Sequence, residues 1–368
     1  MKDNSDFETS THRKMKKTVF FCFLFLSTLA FAQTEVTAYR PGVTQEGITY
    51  CLPKTVLHVV VEAKCITRKP GEFCKYAELY LRRKDVPQTE YDEWSVTSVS
   101  VVPYGVCDTS KVYSIKLRPK TSAPLVSMTD DGLLLAVNDE AEQPAPLPQP
   151  SSGLIATDAD SKDYKTEEIL SAGSLSKMAE LTANEIYDIR ENRSLLTKGQ
   201  ADFMPKDGEQ LRLMLDGLEA QEAGLMRLFC GTSVEHRHVF TFDYIPTDKV
   251  EDQVLFRFSK HFGMVDADDP VGEAYTISVD KKKMMQAAPQ DSKKKKEVFD
   301  LRYIVPGRAE ITIADSHSKK VYQAEMPLAQ FGYVEHLGGD LFNKNYKVSV
   351  HLSPVTGALL RINNEAEK

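Results

Sequence analysis

Glu235-His236-Arg237-His238 is the one place in the chain where two imidazoles sit two residues apart. Strand alternation puts both rings on one face, as a metal site needs. That face continues through Phe240 and Phe242, and no third ligand is identifiable among His58, His261, His317, His336 and His351. The expectation is no bound metal and no cofactor. A second candidate is Glu222, which projects about 20° from the centre of an apolar helical stripe at 100° per residue. A carboxylate there is costly unless paired, and it would serve as a general acid or base if its pocket were apolar. With His236 or His238 it would make a hydrolase of glycan or peptide.

Other patterns carry less. Asp266-Ala267-Asp268-Asp269 and Asp158-Ala159-Asp160 fail the calcium-loop spacing, because Pro270 and the absence of a closing Glu break it. Ser174-Leu175-Ser176-Lys177 matches S-x-x-K, yet so do three other stretches, and the S-D-N and K-T-G partners are absent. No G-x-S-x-G, H-E-x-x-H, phosphate loop or dinucleotide fingerprint is present. Cys51, Cys65, Cys74, Cys107 and Cys230 lie beyond residue 32. Four of them allow three pairings, and Cys65 with Cys74, across a Pro70-Gly71 turn, is the first expectation. Cys230 reads as a buried free thiol.

Two amphipathic segments must position Glu222. Leu175, Met178, Ala179, Thr182, Ile186, Ile189 and Leu196 form one stripe, ending at Gly199 with Pro205 beyond. Asp207 with Gln210 resembles a capping box, followed by Leu211, Met214, Leu215, Leu218, Leu225 and Phe229 up to Gly231. A short connector makes these an antiparallel hairpin. Arg193 breaks the first stripe as Glu222 breaks the second. A turn centred near residue 202 leaves them about 16 Å apart at 1.5 Å per residue, so each is expected to seek another partner. Arg190, Arg193 and Glu222 are the binding candidates.

The hairpin is flanked by β pattern. Thr55–Ala63, Tyr76–Leu81, Trp94–Val102, Lys111–Leu117 and Leu133–Val137 read as strands before it. Eight more follow it from Val234 to Ile362, the last two joined by the Ser353–Gly357 loop. The expected fold is α+β, mainly β: two β-sandwich-like domains, 33–138 and 232–364, bracketing a helical hairpin at 154–231. Prolines at 144, 146, 148 and 150 make 139–153 a semi-rigid linker. A weak helix is expected at Thr166–Ser171.

Lys16 and Lys17, the apolar run Val19–Ala30 and Ala30-Phe31-Ala32 read as a secretory signal peptide ending at residue 32, with Met15 an alternative start. The apolar run is shorter than the ~20 residues of a membrane span, so no transmembrane span is expected after cleavage. Loss of residues 1–32 leaves 41 basic and 50 acidic residues, a net charge of −9, which argues against nucleic acid as a partner. Seven lysines between Lys281 and Lys296 read as a protruding loop, with a tether to anionic lipid or polysaccharide as the functional alternative.

The run Ala183–Arg193, the Lys206-Asp207-Gly208-Glu209 turn and the closing Pro354-Val355-Thr356-Gly357 resemble an uncharacterised family of exported Bacteroidetes proteins, a domain of unknown function of the DUF4831 kind. The resemblance implies a compartment, periplasmic or cell-surface in a Gram-negative bacterium, and carries no catalytic residues. The expected function is therefore a non-catalytic envelope binding or assembly protein, with an envelope protein or glycan as partner.

Overall fold

The computed structural model describes residues 35–38, 47–116, 125–149, 151–157, 164–283, 301–338 and 346–366. The signal-like segment, Asp158–Asp160 and most of the lysine-rich run lie outside the described residues. Among those described, the chain is mainly β, with three antiparallel sheets and four helices.

Strand β2 (Ile48–Lys69) is the long central element. On one side it pairs with β3 (Tyr91–Lys116), and on the other with β7 (Thr232–Tyr244). With β1 (Glu35–Ala38) beside β3 and β6 (Gly153–Thr157) beside β7, these form the first sheet, in the order β1-β3-β2-β7-β6. A run of β-branched and aliphatic residues occupies the centre of β2 because both of its edges are covered. The second sheet contains β8 (Val250–Ser259), β9 (Gly263–Val265), β10 (Glu273–Lys283), β11 (Leu301–Ala314) and β12 (Lys320–Leu337). Leu57, Val59, Val61 and Ala63 of β2 share one buried core with Phe256, Ile277, Val279, Ile311, Ile313 and Leu328 of this second sheet. Burying each of the Val, Leu, Ile and Phe side chains among these contributes ~1.5–3 kcal/mol.

The third sheet joins β4 (Val126–Met128) and β5 (Leu134–Val137) to β13 (Tyr346–Leu352) and β14 (Leu359–Ala366). Its core takes in Tyr50 and Leu52 from the start of β2 and Leu301 and Ile304 from β11. Strand pairing thus crosses the expected boundary between 33–138 and 232–364: β7 completes a sheet with β2, and β13 completes one with β5. In each case the later strand supplies hydrogen-bond partners for an edge of the earlier one, β7 for β2 and β13 for β5.

The helices follow their caps. Thr166 accepts from the Ile169 amide at the head of α2 (Glu167–Leu170), and Ser174 accepts from the Lys177 amide at the head of α3 (Leu175–Lys198). That cap explains the S-x-x-K match at Ser174. Gly199 ends α3 at φ 69°, and Asp207 caps α4 (Gly208–Cys230). Tyr76–Leu81, expected as strand, is a short 3-10 turn at Cys74–Tyr76 running into α1 (Ala77–Leu81). Tyr76 and Tyr80, one helical turn apart, pack with Leu81 on the core of α3 and α4, so tertiary contact overrides a β-like composition.

The cysteine expectation is corrected as well. Cys65 and Cys74 are free and buried, and the disulfide joins Cys51 to Cys107 with Cα atoms 5.6 Å apart. Strand β2 runs on to Lys69, so the Pro70-Gly71 turn does not fold back onto Cys65. In β3, by contrast, the register slips where Cys51 faces Val112 and Pro53 faces Cys107, which brings Cys107 to Cys51.

The segment after β5 is pinned at its start. Asp139 accepts from His351 at 2.9 Å, Ala141 N donates to Ser127 Oγ, and Gln143 donates to Met128 O. The hydrogen bonds from His351 and from the Glu140 amide hold the Asp139 carboxyl below the usual carboxylate range. A depressed native pKa means this contribution is present above the unfolded-chain value and is lost as pH falls through the native one. Acid titration should therefore show Asp139→Asn flattening the loss of stability below about pH 4, the range of a free Asp; an unchanged acid limb would contradict the pin. Reduction, or Cys51→Ser, should cost ~2–4 kcal/mol in urea unfolding. Cys65→Ser and Cys74→Ser should leave the disulfide intact by thiol counting.

Candidate functional site

Helices α3 and α4 bring the three binding candidates together. Glu222, with its side chain 12% exposed, meets Arg190 Nε at 2.6 Å through Oε1 and Arg193 Nη1 at 2.9 Å through Oε2. The second contact is an ion pair without hydrogen-bond alignment, since Oε2 is buried and accepts no hydrogen bond among the described residues. Arg190 also reaches Met226 Sδ at 3.6 Å, and its guanidinium lies 5.7 Å from the Tyr187 ring centroid. Beside them Gln221 donates to Glu185.

The 16 Å separation expected between Glu222 and Arg193 is thus overturned. Counting backbone rise omits the arms: helical side chains lean along the helix toward its N-terminus, and a long arginine reaches well beyond the level of its own Cα. Two guanidiniums and one carboxylate leave a local excess of one positive charge. Both arginine side chains are about two-fifths exposed, 40% and 38%. Chemically the cluster can hold the helices in register and attract an anionic group. It is poorly suited to proton transfer, because both carboxylate oxygens face cations.

The helical unit is anchored to the end of β2. Phe73 N donates to Leu228 O at 2.6 Å, and the Phe73 ring lies tilted against Phe229, centroids 5.5 Å apart, in a core with Ala179, Ala183, Ile186, Ile189 and Leu225. Gly231, at φ 78°, passes so close to Lys69 O that a Cβ would lie 1.9 Å from it, so glycine is required where α4 turns into β7.

His236 and His238 do lie on one face of β7, with ring centroids 6.3 Å apart. They sit opposite Cys65 and Ala63, beyond Phe240 and Phe242 at the edge of the shared core. The Trp94 ring lies tilted 4.6 Å from His238 and edge-on 6.5 Å from Phe258. No group of three His, Cys, Asp or Glu suited to a metal ion occurs among the described residues. Burial first, and the Asp92 carboxylate second, push the Cys65 thiol up, so it is a packed hydrophobe rather than a nucleophile. Asp266 to Asp269 form a turn, with Asp269 N donating to Asp266 O and Val271 N to Asp269 Oδ1. Lys281 and Lys282, the described start of the lysine run, are tied to Asp248 and Glu310.

One cluster had no signal in sequence spacing. On the outer face of the first sheet, His58 Nδ1 lies 2.8 Å from Asp243 Oδ1, and Tyr104 OH donates to Asp243 Oδ2 at 2.9 Å. Desolvation, then the Asp243 hydrogen bond, pushes the Tyr104 hydroxyl up to about 12. His58 and Asp243 are directly opposed across β2 and β7 but 185 residues apart, so only the register reveals them. The same face carries Glu62 between Ser98 and Arg237, and Lys64 beside Glu235, which makes it a solvated, ion-paired surface.

These features define a class: a mainly β protein of three antiparallel sheets carrying a helical unit in which a largely enclosed carboxylate, Glu222, is clamped between two arginines. A family model described as a domain of unknown function (DUF4831) matches residues 46–360, and the chain belongs to that family. No curated protein and no solved structure matches it.

Removing one partner of the cluster strands a charge. Glu222→Gln and Arg193→Met should each cost ~1–2 kcal/mol, below the ~3–5 kcal/mol of a fully buried pair because both arginines are partly solvated. A double-mutant cycle by urea unfolding should give a coupling of ~1 kcal/mol, and additive single effects would deny the interaction.

Proposed function

We propose that this chain is a non-catalytic binding or assembly component of the cell envelope, exported to the periplasm or cell surface. The supporting observation is the Arg190–Glu222–Arg193 clamp: Glu222, the helical carboxylate singled out as a candidate acid or base, lies between two arginines and ties two helices together. On this reading α3 and α4 act as an antiparallel hairpin presented for docking, the two five-stranded sheets form the sandwich beneath it, and the signal-like Met15–Ala32 segment directs export. A sheet face of paired charges and a rim of Trp94, His236 and His238 complete the scaffold.

The test combines a glycan and peptide hydrolysis screen of the mature chain with mild crosslinking in its native envelope. The expected outcome is no turnover and a stoichiometric crosslinked partner. Turnover by the parent that is lost in a folded Glu222→Gln variant would establish the hydrolase and end the assembly reading.

A further inference from the structure

The far end of the helical unit is under-covered. The core of α3 and α4 draws on residues 179–189 and 218–230, near the junction with β2. Leu195, Leu211, Met214 and Leu215 lie outside that core and are only half-buried. In the connector Phe203 is 65% exposed and Met204 37% exposed. A pair of helices cannot enclose an apolar stripe this wide, whereas four helices can.

The charges around this apolar tip select the occupant. The connector reads Asp202-Phe203-Met204-Pro205-Lys206, with both charged residues exposed and neither in an ion pair among the described residues. Opposing this segment to a copy of itself, antiparallel about Met204, sets Asp202 against Lys206 twice and brings the apolar residues together. That is the self-complementarity an isologous two-fold contact requires. An anionic surface would instead meet Asp202 and Asp207 as like charges.

We propose that a second copy of this chain docks here, connector to connector, forming a two-fold dimer through a four-helix arrangement. A specific dimer buries roughly 1,200 Å² or more in total, beyond what the connector offers, so the contact extends along Leu195, Leu211, Met214 and Leu215. The proposal rests on the assembly reading and names one partner for it.

Sedimentation equilibrium of the full mature chain tests this through charge exchange. The parent should dimerise reversibly. Asp202→Lys alone and Lys206→Asp alone should each weaken the dimer at least tenfold, by setting like charges across the axis. The double variant, and an equimolar mixture of the two single variants, should recover it. Both positions are exposed, so circular dichroism spectra, and thermal midpoints measured at dilutions where the chain is monomeric, should be unchanged. A parent that stays monomeric, or a dimer indifferent to the single exchanges, would overturn the proposal. If a monomeric parent still crosslinks a different envelope protein, self-docking fails while the assembly reading stands; if it binds neutral lipid vesicles through Phe203, self-docking fails in favour of a membrane surface.

Discussion

Everything in this protein depends on the two-sided pairing of β2. Its inward residues, Leu57, Val59, Val61 and Ala63, are almost entirely removed from water, and they are held in place by β3 on one edge and β7 on the other. Over residues 57–68 the strand is paired on both edges, so its backbone polar groups find partners away from water. Its apolar side chains can then anchor a second sheet. Because β7 comes after the helices in the chain, the helical unit must return to the end of β2, and Gly231 and the Phe73–Leu228 hydrogen bond mark where it does. The third sheet closes the other end of β2 through Tyr50 and Leu52, so all three cores touch this one strand or its immediate continuation.

The distribution of polar groups follows from that frame. Side chains on the outward face of β2 meet polar partners on β7: His58 directly opposite Asp243, and Glu62 with Arg237 and Lys64 with Glu235 on the diagonal, two residues along from the direct cross-strand partner. Such exposed pairs add little stability singly, but they favour a particular register, since a one-residue slip would turn them inward. The Glu222 cluster plays the matching role between helices. Its two arginines compensate one carboxylate among apolar neighbours, and the surplus positive charge lies at the surface.

Local features were legible in the sequence where local physics decides. Ser174, Gly199, Asp207 and Gly231 bound the two long helices because caps satisfy orphan backbone groups wherever they stand. The shared face of His236, His238, Phe240 and Phe242 followed from strand alternation alone. What escaped was long-range. Nothing in the composition of β7 says that it pairs with a strand some 170 residues earlier, and the cross-strand cluster of His58, Tyr104 and Asp243 exists only through that register. Cys107 reaches Cys51 through a slip in β3 that no spacing rule anticipates. At Tyr76–Leu81 the pattern was too short to separate strand from helix, and packing on α3 decided it.

Native-state hydrogen exchange tests the central claim, that one core built on β2 holds both five-stranded sheets as a single cooperative unit. Amides at the centres of β2 and β7 and at the centres of β10 and β11 should open with the same free energy, equal to that of global unfolding, and respond equally to denaturant. If β10 and β11 instead opened through a lower-energy event that left β2 and β7 protected, the sheets would be separate units and the account built on their shared core would be wrong.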